Sequence, residues 1–244
     1  MCKKENAVKR IILAGAAVLA VLAGGAVSAE DITADVLTYN GKTKVATATG
    51  HVVIHGSDGE TVTGDHGEYR FDDRSAYLTG SVHYQKGSNT MDAETIHVSQ
   101  DKTVIGTGGV YAYDAENQRT LRGDYVSYNS ETGYGLVEGN GFVQTPDGQM
   151  TAPHIEGNAK QIYMEATGGV NFESTAHNIV GYGDNAVYTK TPDREDGKVV
   201  LTGNARATQN GNTFEGPELV FTAENNLVRT NGRSTLVITN TSGK

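Results

Sequence analysis

The segment LTGSVHYQKGSNTMDAETIHVSQDKTVIGTGGV, residues 78–110, contains the two phrases on which the fold depends. The first phrase is Thr-Gly-x-Val, which occurs at Thr79–Val82 and again at Thr107–Val110. The second phrase lies between them and runs apolar, any residue, Gly or Ala, usually acidic, as in Met91-Asp92-Ala93-Glu94. Around both phrases apolar and polar residues alternate, which is typical of β-strands.

Both phrases recur along the whole chain. The first-phrase glycines are residues 50, 80, 108, 139, 168, 203 and 232, at intervals of 28 to 35 residues. Second-phrase copies begin at Ile32, Val62, Met91, Leu121, Met150 and Phe214, with a loose copy at Ile179-Val180-Gly181. The chain therefore contains seven repeats of about 29 residues, each with two half-units. Turn pairs such as Asn40-Gly41 and Asn210-Gly211 separate the half-units and leave no room for crossover helices, so we expect a sequential antiparallel sheet.

The alternation indicates where each strand bends. Counted from a first-phrase glycine, positions −4, −2, +2 and +4 are mostly apolar and positions −1, +1 and +3 mostly polar. A glycine at the centre of a strand indicates a bend. Across the Gly or Ala of the second phrase the apolar parity shifts by one residue, which predicts a β-bulge in that phrase. We predict an all-β, antiparallel, bent-strand trough of about 14 sequential strands, with turns along both rims.

The first 29 residues predict a signal peptide. Lys3, Lys4, Lys9 and Arg10 precede the apolar run 11–27, and Val27-Ser28-Ala29 provides small residues before a cleavage site. An uncleaved membrane anchor is the alternative for residues 1–29. Residues 30–239 are predicted to form the repeat domain, and residues 240–244 a short tail.

Composition argues against several function classes. The chain has 29 acidic and 20 basic residues and a net charge of −9, which disfavours nucleic-acid binding. Its single cysteine, Cys2, lies in the predicted leader, so we expect no disulfide or thiolate-metal site in the repeat domain. The histidines are scattered, and neither a nucleophile elbow nor a phosphate loop is found. We therefore predict no enzyme, no metal site and no cofactor.

Aspartates follow the Gly or Ala of several second phrases. Asp35, Asp65 and Asp124 recur at equivalent positions, which indicates a structural role at the bend through Asx-type hydrogen bonds.

The inward apolar side chains have two interpretations. They form a closed sandwich core, or they line an open groove for a long apolar ligand. Many inward positions are small, among them Ala46, Ala166 and Ala205, and the apolar face is continuous, which favours the groove. The predicted groove residues are Ile54, Leu78, Val82, Tyr84, Ile96, Val98, Val110, Val126, Tyr128, Met164, Val170, Phe172, Leu201, Leu219 and Phe221.

The alternating phrases, together with Ala34-Asp35…Tyr39, Gly64-Asp65…Tyr69 and Gly123-Asp124…Tyr128, resemble the OstA-like family. That family includes the lipopolysaccharide-transport protein LptA and the N-terminal domain of LptD. The resemblance covers about residues 30–239 and implies a β-jellyroll in the periplasm that carries the acyl chains of lipid A. It leaves a membrane-anchored, LptC-like role open. A β-solenoid surface protein or polysaccharide-active enzyme is the competing class.

Both ends of the predicted sheet are candidate assembly edges. The edge residues are Ile32, Val36, Leu236, Val237 and Ile238, and the C-terminal stretch Thr235–Thr239 has no Pro or charge to block pairing. We expect lipopolysaccharide as the ligand, with LptC-like and LptD-like partners adding to the edges, or copies of the chain joining head to tail.

Overall fold

The computed structural model describes residues 29–239, apart from positions 57, 58, 117, 130, 147, 192, 193 and 195. Residues 1–28 of the predicted leader and the predicted tail 240–244 lie outside the described residues. In the described ranges, no helix has the length and apolar character needed to cross a membrane.

The described residues form sixteen β-strands in a single sheet. The strands are β1 (Ala29–Thr33), β2 (Val36–Asn40), β3 (Val45–Gly56), β4 (Glu60–Arg70), β5 (Ser75–Lys86), β6 (Asn89–Val98), β7 (Thr103–Asp114), β8 (Arg119–Asn129), β9 (Tyr134–Thr145), β10 (Gly148–Asn158), β11 (Tyr163–Ser174), β12 (Ile179–Thr189), β13 (Lys198–Gln209), β14 (Asn212–Thr222), β15 (Leu227–Asn231) and β16 (Thr235–Val237).

Each strand from β3 to β14 pairs antiparallel with the next in sequence. At the start of the sheet, β1 and β2 pair with the two halves of β3. At its end, β15 and β16 pair with the two halves of β14. Each of these short pairs is one strand broken at its bend, so the sheet contains fourteen bent strands and the predicted all-β fold is confirmed. Antiparallel sequential pairing excludes the β-solenoid.

Every bend contains an extra residue, and its position corrects the sequence prediction. In the ladder between β5 and β6, Thr79 pairs with Thr95 and Val82 with Ala93, so two residues face Glu94 alone. The extra residue therefore lies in the first phrase, not in the second. Gly80 and Ser81 both adopt left-handed backbone conformations, with φ of 84° and 50°. Two successive left-handed residues turn the strand sharply, and few residue types other than Gly and Asn accept them readily.

The first-phrase glycines also lack space for a side chain. A Cβ at Gly80 would overlap the side chain of Asp65 on the preceding strand. We call the line of successive bends the spine. The same contact recurs along it in the pairs Gly50 with Asp35, Gly108 with Glu94, Gly139 with Asp124, Gly168 with Pro153, Gly203 with Asp184 and Gly232 with Pro217. Because of this repetition, each bend stacks on the bend before it.

Acidic residues at the bends bind the neighbouring strand. Asp124 Oδ2 accepts a hydrogen bond from Asn140 Nδ2 at 3.0 Å, and Asp35 Oδ2 lies 2.8 Å from His51 Nδ1. The hydrogen bond and charge of Asp35 raise the pKa of His51. These bonds cross between strands, whereas the sequence suggested local Asx turns, and they give the aspartates a structural role.

The sixth bend corrects the alignment of one repeat. The loose copy placed at Ile179-Val180-Gly181 is out of register by two residues. It is Asp184, after Gly183, that packs against Gly203 and accepts a hydrogen bond from Asn204 Nδ2 at 2.9 Å. The second-phrase copy in this repeat is therefore Gly181-Tyr182-Gly183-Asp184.

Substitutions of the two adjacent glycines of the third bend allow the effect of backbone strain on stability to be measured separately from that of close packing. Gly108 and Gly109 both have φ of 81°, but only Gly108 faces a neighbour, Glu94, whereas Gly109 faces open space. We expect Gly109→Ala to lower the free energy of unfolding by about 1 kcal/mol through strain alone. Gly108→Ala should cost about 2 kcal/mol more, because the new methyl overlaps Glu94. If chemical denaturation gives the same loss of unfolding free energy for both variants, the close contact between stacked bends does not contribute to stability.

Candidate functional site

The fifteen predicted groove residues all face the inside of the trough. Thirteen are buried, and Ile54 and Val98, near one end, are partly buried. They belong to one continuous apolar cluster or pack against it, and this cluster extends from Val62 on β4 to Phe221 on β14. The alternation in the sequence therefore identified the inward face.

The interior is closed to water over most of its length. Val52, Met91, Ala112, Val126 and Val170 have no exposed surface, and most of the cluster is at most 5 % exposed. The two halves of the bent sheet pack on each other as in a sandwich, so the expected open groove is not the state that the structure describes. Closure removes the apolar side chains from water, which stabilises the fold.

The two rims present different side chains to the interior. On one rim the outermost inward row is mostly polar, and its members are Glu60, Lys86, Asn89, Asp114, Arg119, Thr145, Gly148, Ser174, Ile179, Gln209 and Asn212. On the other rim the row is Ala46, Tyr69, Ala76, Val98, Val104, Tyr128, Gly135, Gly157, Met164, Tyr188, Val199, Phe221 and Val228. We call these the polar rim and the apolar rim.

Several members of the polar rim are buried. Asp114 is 2 % exposed, Ser174 1 % and Gln209 7 %. Glu60 is also buried, and its Oε1 lies 2.8 Å from Lys86 Nζ. Burying polar groups in this way costs free energy unless they are hydrogen-bonded.

Burial also fixes the protonation of three inward tyrosines. Loss of solvent raises the pKa of Tyr84, Tyr128 and Tyr188, with smaller contributions from Glu60 for Tyr84 and from Asp196 for Tyr188. Their hydroxyls therefore stay protonated to a higher pH than that of an exposed tyrosine, and a protonated hydroxyl can donate a hydrogen bond.

Contacts between the rims close the mouth of the trough near its C-terminal end. Gln209 Nε2, on the polar rim, donates a 2.7 Å hydrogen bond to Asn226 Oδ1 in the turn between β14 and β15. The ring of His177, in a turn of the polar rim, meets the ring of Phe221 edge-on, with centroids 5.2 Å apart. A hydrogen bond of this kind contributes only about 1 kcal/mol to the stability of the closed state.

The predicted edge residues lie at the two ends of the sheet. Ile32 and Val36 are on β1 and β2 and are 37 % and 56 % exposed. Leu236 and Val237 on β16 are each 52 % exposed, and Ile238, just beyond, is 67 % exposed. Among the described strands, these terminal ones pair on one side only.

The outer face carries polar pairs. His83 Nδ1 lies 2.7 Å from Asp92 Oδ1, and Arg122 lies over the rings of Tyr111 and Phe142 at 5.2 and 5.3 Å. In the described ranges no three His, Cys, Asp or Glu side chains meet as a metal site would require.

A single antiparallel sheet, bent along a spine of glycines and closed around an apolar interior, defines the bent-strand β-jellyroll class. Residues 61–226, about two thirds of the chain, match the family described as LptA/(LptD N-terminal domain) LPS transport protein. The chain belongs to this family. The chain is therefore a protein of the lipopolysaccharide-transport class and not an enzyme.

Among solved structures, the chain is similar to LptH, described as the LptA-homologous periplasmic component of the lipopolysaccharide transport device from Pseudomonas aeruginosa. The two share 20 % identity with a TM-score of 0.44, over 52 % of this chain and 98 % of LptH. Curated proteins yield no match.

The polar rim was missed at the sequence level, although its signal was present. Lys86, Asp114, Thr145, Ser174 and Gln209 all stand six residues after a first-phrase glycine, with the same parity as the buried positions. Because polar residues near turns ordinarily face solvent, this regularity resembled a solvated strand end.

Truncation of buried and exposed leucines distinguishes a packed interior from an open one. Leu121 is 1 % exposed and Leu227 is 48 % exposed. We expect Leu121→Ala to lower the free energy of unfolding by about 2–5 kcal/mol because it leaves a cavity in a closed core. Leu227→Ala should cost less than about 1 kcal/mol. A loss for Leu121→Ala as small as that for Leu227→Ala would contradict the packed interior.

Proposed function

We propose that this chain is a periplasmic lipopolysaccharide carrier whose interior shields the acyl chains of lipid A during transport from the inner to the outer membrane. The observation that carries the proposal is the continuous apolar cluster, which passes through every strand from β4 to β14. Membership of a lipopolysaccharide-transport family supports the class of cargo.

Transfer of acyl chains through water needs such a shield. Each methylene costs about 0.8 kcal/mol in water, so a twelve-carbon chain costs roughly 10 kcal/mol. A hydrocarbon interior replaces that contact with water by contact with Val, Leu and Phe side chains.

Because the interior is closed, cargo enters by separating the two halves of the sheet. The halves are joined continuously along the spine by the backbone, whereas at the mouth they meet through side chains, as in the contacts of Gln209 with Asn226 and of His177 with Phe221. Opening therefore begins at the mouth and hinges at the spine. The acyl chains cover the apolar surface that separation exposes, which limits the free-energy cost.

The exposed terminal strands support assembly into a longer path. A strand of a partner that adds to β2 or to β15 and β16 would continue the ladder and bring one interior against the next. LptC-like and LptD-like proteins, or further copies of this chain joined head to tail, are the proposed partners.

Photo-crosslinking from aromatic positions tests where the cargo lies. Phe172 and Tyr128 face inward, whereas Phe142 and Tyr182 lie on the outer face, so a photoreactive phenylalanine analogue replaces an aromatic ring at each site. We expect lipopolysaccharide to crosslink to the inward pair and not to the outward pair. Equal labelling of both pairs would refute the proposed interior site.

A crosslink across the mouth tests the route of entry. In a Cys2→Ser background, the pair Gln209→Cys and Asn226→Cys, joined by a short bis-maleimide, should abolish lipopolysaccharide binding because the halves can no longer separate. The control pair is Asn178→Cys and Asn210→Cys, which replaces a 2.8 Å hydrogen bond between two turns of the same rim. Binding that survives the first crosslink would exclude entry through the mouth.

Proline at the C-terminal edge tests assembly. Val237→Pro removes a backbone N–H from β16 and should abolish concentration-dependent assembly in light scattering. Val237→Ala keeps the N–H and should assemble normally. If the proline variant assembles as well as the alanine variant, the edge-to-edge model is wrong.

A further inference from the structure

The asymmetry between the rims assigns an orientation to the bound lipid. We infer that the anionic, phosphorylated sugar headgroup of the cargo lies along the polar rim, with Lys86 and Arg119 contacting its phosphates, while the acyl chains extend toward the spine and the apolar rim. This inference rests on the proposed function and adds the position of the headgroup to it.

The row composition is the first observation. Nine side chains of the polar rim's row are polar or charged, and they face inward at the end of an otherwise apolar strand face. The equivalent row of the apolar rim contains no charge within its strands, and its polar atoms are the hydroxyls of Tyr69, Tyr128 and Tyr188. The one buried cation described near this rim is Lys190, which follows the end of β12. An amphiphile between two such rows lowers its free energy by placing its polar end at the polar row.

An unpartnered hydroxyl is the second observation. Ser174 Oγ lies on the inner side of the polar rim, is 1 % exposed as a residue, and has no hydrogen-bond partner; on the apolar rim, the buried Tyr188 hydroxyl is likewise without one. A buried hydroxyl without a partner costs about 1–3 kcal/mol, and a sugar hydroxyl or phosphate oxygen at this rim would supply one.

Charge placement is the third observation. Lys86 pairs with Glu60 at 2.8 Å, and Arg119 lies directly across the β7–β8 ladder from Asp114. When the mouth opens, a phosphate can replace these carboxylates as the acceptor, since charge-assisted hydrogen bonds to phosphate are strong and those of arginine are often bidentate.

The turns of the apolar rim provide a matched control. Lys44 pairs with Asp72 at 2.7 Å and Lys102 with Glu131 at 3.0 Å, and all four side chains are exposed on the outside of the trough. Like Glu60, Lys86, Asp114 and Arg119 of the polar rim, these four residues comprise two cations and two carboxylates, but they do not face the interior.

The test compares two charge-balanced variants with two lipids. The polar-rim variant carries Glu60→Gln, Lys86→Gln, Asp114→Asn and Arg119→Gln, and the control carries Lys44→Gln, Asp72→Asn, Lys102→Gln and Glu131→Gln. Dissociation constants are measured for diphosphoryl lipid A and for dephosphorylated lipid A. We expect the wild-type chain to prefer the phosphorylated lipid, and the polar-rim variant to lose about tenfold of that preference while the control retains it.

Each outcome decides the question. An unchanged preference in the polar-rim variant, or a loss in the control, overturns the headgroup position while lipid binding itself stands. If the wild-type chain binds neither lipid, the proposed function fails and the orientation fails with it.

A second measurement on the wild-type chain covers the case in which the polar-rim variant does not fold. Lipid A with a photoreactive group on its sugar should label peptides that carry the polar rim. Labelling concentrated on peptides of the apolar rim would overturn the inference.

Discussion

The stacked bend is the constraint on which the rest of the structure depends. Two successive left-handed residues, such as Gly80 and Ser81, place one extra residue opposite a single residue of the next strand. A flat sheet of this size would expose one entire apolar face to water. Repeating the bend at equivalent positions folds the sheet along one line, so that its two apolar halves meet and bury each other.

The same geometry explains how a packed interior is compatible with the proposed carrier function. The spine is held by backbone pairing and by glycine contacts such as Gly139 with Asp124, whereas the mouth is held by side-chain contacts such as Gln209 with Asn226. The backbone ladder is preserved when the halves move apart, because every strand keeps its neighbours. The hinge and the closure thus lie in different parts of each strand, and a hydrocarbon guest can replace the contact between the halves.

Much of this architecture could be predicted from sequence because it repeats. The fourteen bent strands, the inward direction of residues such as Val126 and Phe172, and the terminal position of Val36 and Val237 all followed from alternation and turn residues. The strand that contains the extra residue could not be predicted. An extra residue in one strand and a missing residue in its neighbour shift the pairing of apolar and polar positions between the two strands by the same amount. The closure of the mouth was also beyond the pattern, since it depends on how far the two halves rotate about the spine. The sequence contained enough information to predict the polar rim. Glu60 and Lys86 resemble ordinary surface residues, but each lies two positions from a buried residue, Val62 or Tyr84, and therefore on the same face of its strand.

The most direct test of whether the two halves of the sheet separate around lipid is the distance between the rims, measured with and without lipid. Spin labels at Asn210, in a turn of the polar rim, and at Asn225, in a turn of the apolar rim, lie at exposed positions on opposite sides of the mouth. We expect bound lipid A to lengthen this distance by about half of the roughly 10 Å spacing of packed sheet faces, because the two halves must separate to admit the acyl chains. An unchanged distance in a chain that demonstrably holds lipid A would contradict this separation.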